Sequence, residues 1–382
     1  MENLVFIVSA LLILIILISR MTVAPKKQFH SDYFSVEVSK GIQGLLGICA
    51  ILHLTSVALE KLGRAHSLFH VYFYCGILIV GYFFFCSGYG LIHSLNTKEN
   101  YLQGFVKKRI ILILVPFFIC NYIYLIFSQI MGVTFSSVDL IAAFFGLLLS
   151  NNEMWFAVEI MILYLLFYLI FRLIKKQNVA IGVMSVCVIA LMALSFIMGR
   201  DYDTVSQGLW FRGEWWYNTT ALFLFGMIYA KCEERLVKWL HISYVPMLIF
   251  AIIGFVMFFM IDQAVLMFAP YEATAENPMY VGRMFALFIQ IILVAFFILL
   301  MLLIMMKVRF QNKLLSFLGE FSLEILLINY FNATLFFRLL YSDLLMYLIV
   351  VIATSIVEAV IINKIKKCVL NIEQKKGKSR NV

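Results

Sequence analysis

The chain has 382 residues, of which 64% are hydrophobic and only 13% charged, with a formal net charge of +9. With a mean hydropathy of +0.98, it lacks the polar surface that a soluble globular protein of this length needs, so lipid must solvate much of it. The basic balance does not indicate nucleic acid, because the excess Lys and Arg fall in the loops between apolar segments.

Leu4 to Ser19 is apolar, with Glu2 in front and Arg20, Lys26 and Lys27 behind. A secretory signal carries its positive charge in front, so this segment reads as an uncleaved span with its N-terminus outside. Ten further spans of near bilayer length follow, at 41–59, 71–94, 110–131, 154–173, 179–198, 217–231, 244–262, 282–306, 321–341 and 344–363. The expected fold is an all-α polytopic membrane bundle of 10–12 helices, with residues 1–363 as one domain and 364–382 as a basic cytoplasmic tail. Residues 137–150 are apolar but short. They are read as re-entrant or interfacial, because counting them as a span would put Arg172, Lys175 and Lys176 outside.

With that choice six basic clusters share one face: Arg20 to Lys40, Lys98 to Arg109, Arg172 to Lys176, Lys231 to Lys238, Lys307 to Lys313 and Lys364 to Arg380. They hold 24 of the 30 Lys and Arg and mark the cytoplasmic side. The outer loops are expected to carry acids and aromatics, among them Asp201, Trp210, Trp216, Asp262, Glu272 and Glu276. The seven cysteines form no CxxC or paired-His pattern, and five lie in apolar runs as small packing residues. Neither a disulfide nor a metal is expected.

Few ionisable residues lie inside the apolar segments, and each is costly there unless it faces the bundle interior or a wet cavity. His53 is central to this reading. It follows Lys40 and three small residues at every third position, Gly41, Gly44 and Gly47, which let a neighbouring helix come close. On an ideal helix its face also carries Leu46, Cys49, Ser56 and Glu60. It is either a structural imidazole bonded to a neighbouring helix or a general base that takes a proton from a hydroxyl near neutral pH.

Lys107, Lys108 and Arg109 are either a positive-inside anchor or a clamp for the phosphates of an anionic cytoplasmic donor. Trp155 fits an interfacial aromatic belt or a substrate contact. Glu159, one turn further in, needs a partner and could balance an imidazolium. Glu324 lies near enough to the inner face to reach headgroups. Glu358, with Lys364 and Lys366 nearby, is read as structural. Histidines 30, 66, 70, 93 and 241 sit in loops or at interfaces.

An ordered set of stretches resembles the membrane acyltransferase-3 family, from about residue 35 to 360. They are Lys40-Gly41 leading to His53; Phe83-Phe84-Phe85-Cys86-Ser87-Gly88-Tyr89; Lys107-Lys108-Arg109 through Pro116-Phe117; Met154-Trp155-Phe156-Ala157; and Gly319-Glu320-Phe321-Ser322-Leu323-Glu324-Ile325-Leu326-Leu327. The chain departs from the family pattern at Ile42 and Leu112, where a basic residue is usual, and at Asn329, where a late histidine is common.

The resemblance implies an O-acyltransferase of the bacterial plasma (inner) membrane. It would move an acyl group, expected to be acetyl, from cytoplasmic acyl-CoA to a hydroxyl of a surface polysaccharide or its lipid-linked precursor. It implies catalysis by His53 and Glu159, donor binding by Lys40, Lys107, Lys108 and Arg109, and substrate binding by Ser87, Tyr89 and Trp155. Partners would be membrane lipid, the saccharide acceptor and polysaccharide-assembly proteins. The alternative is a permease or flippase for a lipid-linked saccharide, with the outer aromatics Trp210, Trp215, Trp216 and Tyr217 touching sugar.

Overall fold

The computed structural model describes residues 2–60, 68–198, 214–268, 280–310, 312–340 and 343–379. Asp201, Trp210, Glu272, Glu276 and His66 lie outside them, and the side chains of Trp215, Trp216 and Tyr217 are likewise not described. The elements in chain order are α1 (Glu2–Ile18), β1 (Met21–Val23), α2 (Val36–Glu60), a 3-10 segment (Leu68–Cys75), α3 (Gly76–Thr97), α4 (Phe105–Arg109), α5 (Ile111–Ile130) and α6 (Ser137–Phe144). A 3-10 turn (Asn152–Met154) leads into α7 (Trp155–Leu173), then α8 (Gln177–Met198), α9 (Glu214–Ile242), α10 (Tyr244–Phe268) and α11 (Tyr280–Lys307). The chain ends with β2 (Val308–Phe310), α12 (Lys313–Glu320), α13 (Ser322–Leu340) and α14 (Leu344–Ser379).

Each expected span coincides with a helix, as it must where lipid offers the backbone no other hydrogen-bond partner. Among the described residues eight helices are long and apolar enough to cross a membrane, and a ninth if the bent pair α12–α13 counts as one span. The remaining two expected spans fall on α1, a helix of 17 residues, and on α9, whose second half carries Lys231 to Lys238. α6 has eight residues, a rise of about 12 Å, and does not cross. α14 runs on through Ser379, so the expected boundary at residue 363 falls inside one helix. Asp262 also differs from expectation: it lies within α10, buried, where a loop was expected.

α2 is the axis of packing. A Cβ at Gly44 would collide with the Leu315 backbone of α12, and one at Gly319 of α12 would collide with the Lys40 carbonyl of α2. The two backbones cross in direct contact, so α12 lies across α2 before the chain bends by 78° into α13. The glycine spacing anticipates this crossing, although Gly47 meets nothing within 4 Å. The same device joins α3 to α9: a Cβ at Gly88 would strike the Phe223 carbonyl, and one at Gly226 the Phe85 carbonyl.

The described parts of the six basic clusters gather at one end of the bundle. β1 pairs antiparallel with β2, Arg309 forms an ion pair with Asp32, and Lys307 donates to the Pro25 carbonyl at 3.0 Å. Phe29 stacks on His241 at 4.0 Å, Gln177 donates to Asn96 at 2.9 Å, and Lys367 meets Glu320 at 2.8 Å. Burial, with Tyr229 and Glu233 beside it, holds the Tyr33 phenol far above its ordinary range, so it stays protonated and donates to Glu233 at 2.7 Å.

Gly88→Val places two methyl groups and a Cβ where the α9 backbone runs. The expected outcome is a loss of about 1–3 kcal/mol and a clearly lower unfolding temperature in detergent, whereas the same change at Gly90, which faces open space, leaves it nearly unaltered.

Candidate active site

α2 delivers His53 to the point where the 3-10 segment turns into α3. The ring nitrogen Nδ1 lies 3.2 Å from the Tyr72 carbonyl oxygen. A carbonyl only accepts, so Nδ1 carries the hydrogen and Nε2 keeps its lone pair, the tautomer a general base requires. A Cβ at residue 76 would overlap Nε2 and Cε1. Gly76 therefore leaves the basic nitrogen the room a side chain would take, and the expected single span at 71–94 breaks there into 3-10 and α-helical parts.

The carboxylate whose charge acts on His53 is Glu153, not the expected Glu159. It sits on the short turn before α7, held by the Asn151 side chain, which accepts from the Glu153 amide at 3.1 Å. The same charge reaches Tyr124 of α5. Glu159 is buried and receives a hydrogen bond from Thr220 of α9. The polar triplet Asn151-Asn152-Glu153 was visible as a turn; what it faces across the bundle was not.

A cavity of about 200 Å³ opens between α2, α3, α5, α7 and α13. Its polar wall is Gln43, Ser87, Tyr164 and Ser322, and Val80, Phe84 and Ile160 contribute to its apolar wall. Along α3 it extends from Val80, one turn or about 6 Å from Gly76, to Ser87, about 10 Å further. One end therefore points at His53 and the other at the basic end of the bundle. Tyr164 donates to Ser87 at 3.2 Å.

Arg109 is close enough to Tyr164 for its charge to act on it, and its Nε donates to Tyr101 at 3.1 Å. α4 holds Lys107 and Lys108 exposed beside it. Of the expected site residues Ser87 lines the cavity, Trp155 packs behind its wall on Phe84, Arg109 acts on its Tyr164, and His53 is not among the lining residues. Trp155 is buried, stacked on the cavity residue Phe84 with ring centres 6.3 Å apart, and does not sit in an interfacial belt.

Lys40 is exposed on α2, with its charge acting on Glu320. Tyr89 points away from the cavity: its hydroxyl donates to Glu233 at 2.9 Å and its ring stacks with His93 at 5.4 Å. His70 stacks on Phe73 at 4.9 Å.

The model of a family described as an acyltransferase domain, acyltransferase-3, matches residues 35–363. The chain belongs to the acyltransferase-3 family. It is a multi-pass membrane acyltransferase, and the matched region contains α2 to α13 and the cavity between them. No curated protein and no solved structure matches it significantly.

Gly76→Ala tests the space at Nε2. A methyl group there displaces the ring by about 1 Å, and acyl transfer is expected to fall by about 10² with folding retained, as read by turnover and gel filtration of the purified protein.

Proposed function

We propose that this acyltransferase moves an acyl group, acetyl by preference, from acyl-CoA to a hydroxyl of a surface polysaccharide or its lipid-linked precursor in the bacterial plasma membrane. The basic end is the cytoplasmic one by the positive-inside rule, which puts the N-terminus outside and the C-terminus inside. The observation that carries the reading is the cavity lined by Ser87 and Tyr164, the latter within reach of the Arg109 charge, on the same helix α3 whose first residue, Gly76, packs against the His53 ring.

Coenzyme A phosphates bind Lys107, Lys108 and Arg109 by charge and hydrogen bonds. The thioester then lies among Val80, Phe84 and Ile160, in a space too apolar to favour the phosphates. Nε2 of His53 takes the acceptor hydroxyl proton, and the oxygen attacks the thioester carbonyl. The carbon–sulfur bond breaks, and the thiolate withdraws towards the basic cluster. The proton remains on the imidazolium, balanced by Glu153. General-base action of this kind contributes about 10²–10⁴ in rate.

His53→Ala is expected to lower turnover by that factor, about 10²–10⁴, with little change in the KM for acyl-CoA. Arg109→Ala should do the reverse, raising the donor KM several-fold while kcat holds. A folded His53→Ala protein that acylates at the parental rate would remove the imidazole from the mechanism. Saccharide flux in proteoliposomes without acyl donor would establish the permease reading instead.

A further inference from the structure

The proton left on His53 must leave the ring before the next turnover, and a second polar feature offers the path. α13 and α14 meet along a buried seam of ionisable and amide side chains. At the basic end Glu324 is buried, paired with Lys366 and approached by Asn363 at 3.3 Å, both from α14. This replaces the expectation that Glu324 reaches headgroups. Deeper, Asn332 donates to Glu358 at 2.7 Å and to Ser355 at 3.1 Å, and Ser355 donates to Asn329 at 3.1 Å. Glu358 is thus held by Asn332 of α13, while the nearby lysine Lys366 goes to Glu324.

α5 closes the third side. Cys120 is fully buried, with Glu324 and Glu358 both near enough for their charges to act on it. One turn further along α5, Tyr124 is close to Cys120, to Tyr330 of α13 and to Glu153. Glu153 in turn acts on His53. The hydrogen-bonded seam thus has Cys120 within its electrostatic reach, and Glu153 lies within the same reach of both Tyr124 and the imidazole.

The seam is also short of partners. The second oxygen of Glu324, the amide nitrogen of Asn329, the amide oxygens of Asn332 and Asn363, and the Tyr124 hydroxyl are buried with no hydrogen-bond partner in the protein. An orphaned buried polar group costs about 1–3 kcal/mol, and lipid cannot satisfy it. Five such atoms along one polar file are what bound water satisfies, each molecule typically joining about three polar groups.

We propose that the α13–α14 seam holds a file of water that carries protons between the basic end and the Glu153–His53 pair. The proton half of this rests on the transferase reading above; the water half does not. After acyl transfer the imidazolium proton passes by Glu153 and Tyr124 into the seam and emerges at Lys366. It passes there to water at the basic end, from which the departed thiolate is protonated in turn, so that no net proton is released. Glu324 is faced by Lys366 and Asn363 from α14 and Cys120 from α5, and Glu358 by Asn332 from α13 and Cys120. The relay thus alternates carboxylates with neutral groups and one cation.

Pulsed hydroxyl-radical labelling in ¹⁸O water tests the water file without any substrate, because buried side chains acquire label only where water is bound beside them. Cys120 and Tyr124 are expected to be labelled at least tenfold faster than Met184, which is equally buried on α8. Labelling no faster than at Met184 overturns the proposal. Glu358→Gln tests the proton. It keeps the size and the Asn332 contact, whereas Glu324→Gln strands the Lys366 charge and risks the fold.

In nanodiscs E358Q is expected to lose at least tenfold in kcat at unchanged donor KM, and formate, a small proton carrier, should restore part of that loss. Parental turnover in E358Q, or a deficit that formate leaves untouched, overturns the relay. A labelled seam in a protein that turns over no acyl-CoA would sink the transferase reading and keep the water file. An unlabelled seam with normal turnover would do the opposite.

Discussion

The crossing of α2 and α12 at Gly44 and Gly319 sets the depth of everything else in the molecule. Helices in lipid gain little from burying apolar side chains against one another, since the solvent is as apolar as the core. Close backbone approach through small residues is what remains, and at this crossing the two main chains touch. With α2 held at that height, His53, nine residues beyond Gly44, arrives opposite Gly76. A side chain at any of these glycines would slide or tilt α2 and carry the imidazole away from its opening.

The second consequence of a lipid solvent is that polar groups in the bundle must find each other. The structure sorts them into separate sets. Glu159 meets Thr220 where α7 packs on α9. Tyr33 and Tyr89 donate to Glu233 at the basic end, Tyr229 meets the Tyr33 hydroxyl, and together they tie the chain before α2 to α3 and α9. The remaining sets are the polar wall of the cavity, Gln43, Ser87, Tyr164 and Ser322, and the α13–α14 seam. The first belongs to a space apolar over much of its wall and suited to a thioester and its carbon chain. The other is polar throughout and suited to water and protons.

Much of this could be read from residue order. Hydropathy and length placed a helix at each of the eleven expected spans, eight or nine of them long and apolar enough to cross among the described residues, because a bilayer demands about 20 apolar residues whatever the fold. Charge in the loops put the basic clusters on one face, and the structure gathers them at one end. The short segment at 137–150 was recognisable as non-spanning for the same reason. His53 stood out because an ionisable group in an apolar run is costly, and the glycines before it announced a close helix neighbour. The motif around Ser87 pointed to a residue that lines the cavity, and those around Arg109 and Trp155 to residues that touch its Tyr164 and Phe84.

Partnership was a different matter. That Glu153 rather than Glu159 comes within electrostatic reach of His53 depends on how segments about a hundred residues apart along the chain pack together, and no periodicity encodes that. Tyr89 and Ser87 are neighbours in one motif, yet successive helical positions are about 100° apart, so one faces the cavity and the other a distant glutamate. Glu324 and Lys366 form their pair only because α13 and α14 return antiparallel in register. A sequence determines which groups cannot stay in lipid alone, since the cost of burial belongs to the residue. Tertiary packing decides which group relieves that cost, since pairing belongs to distance.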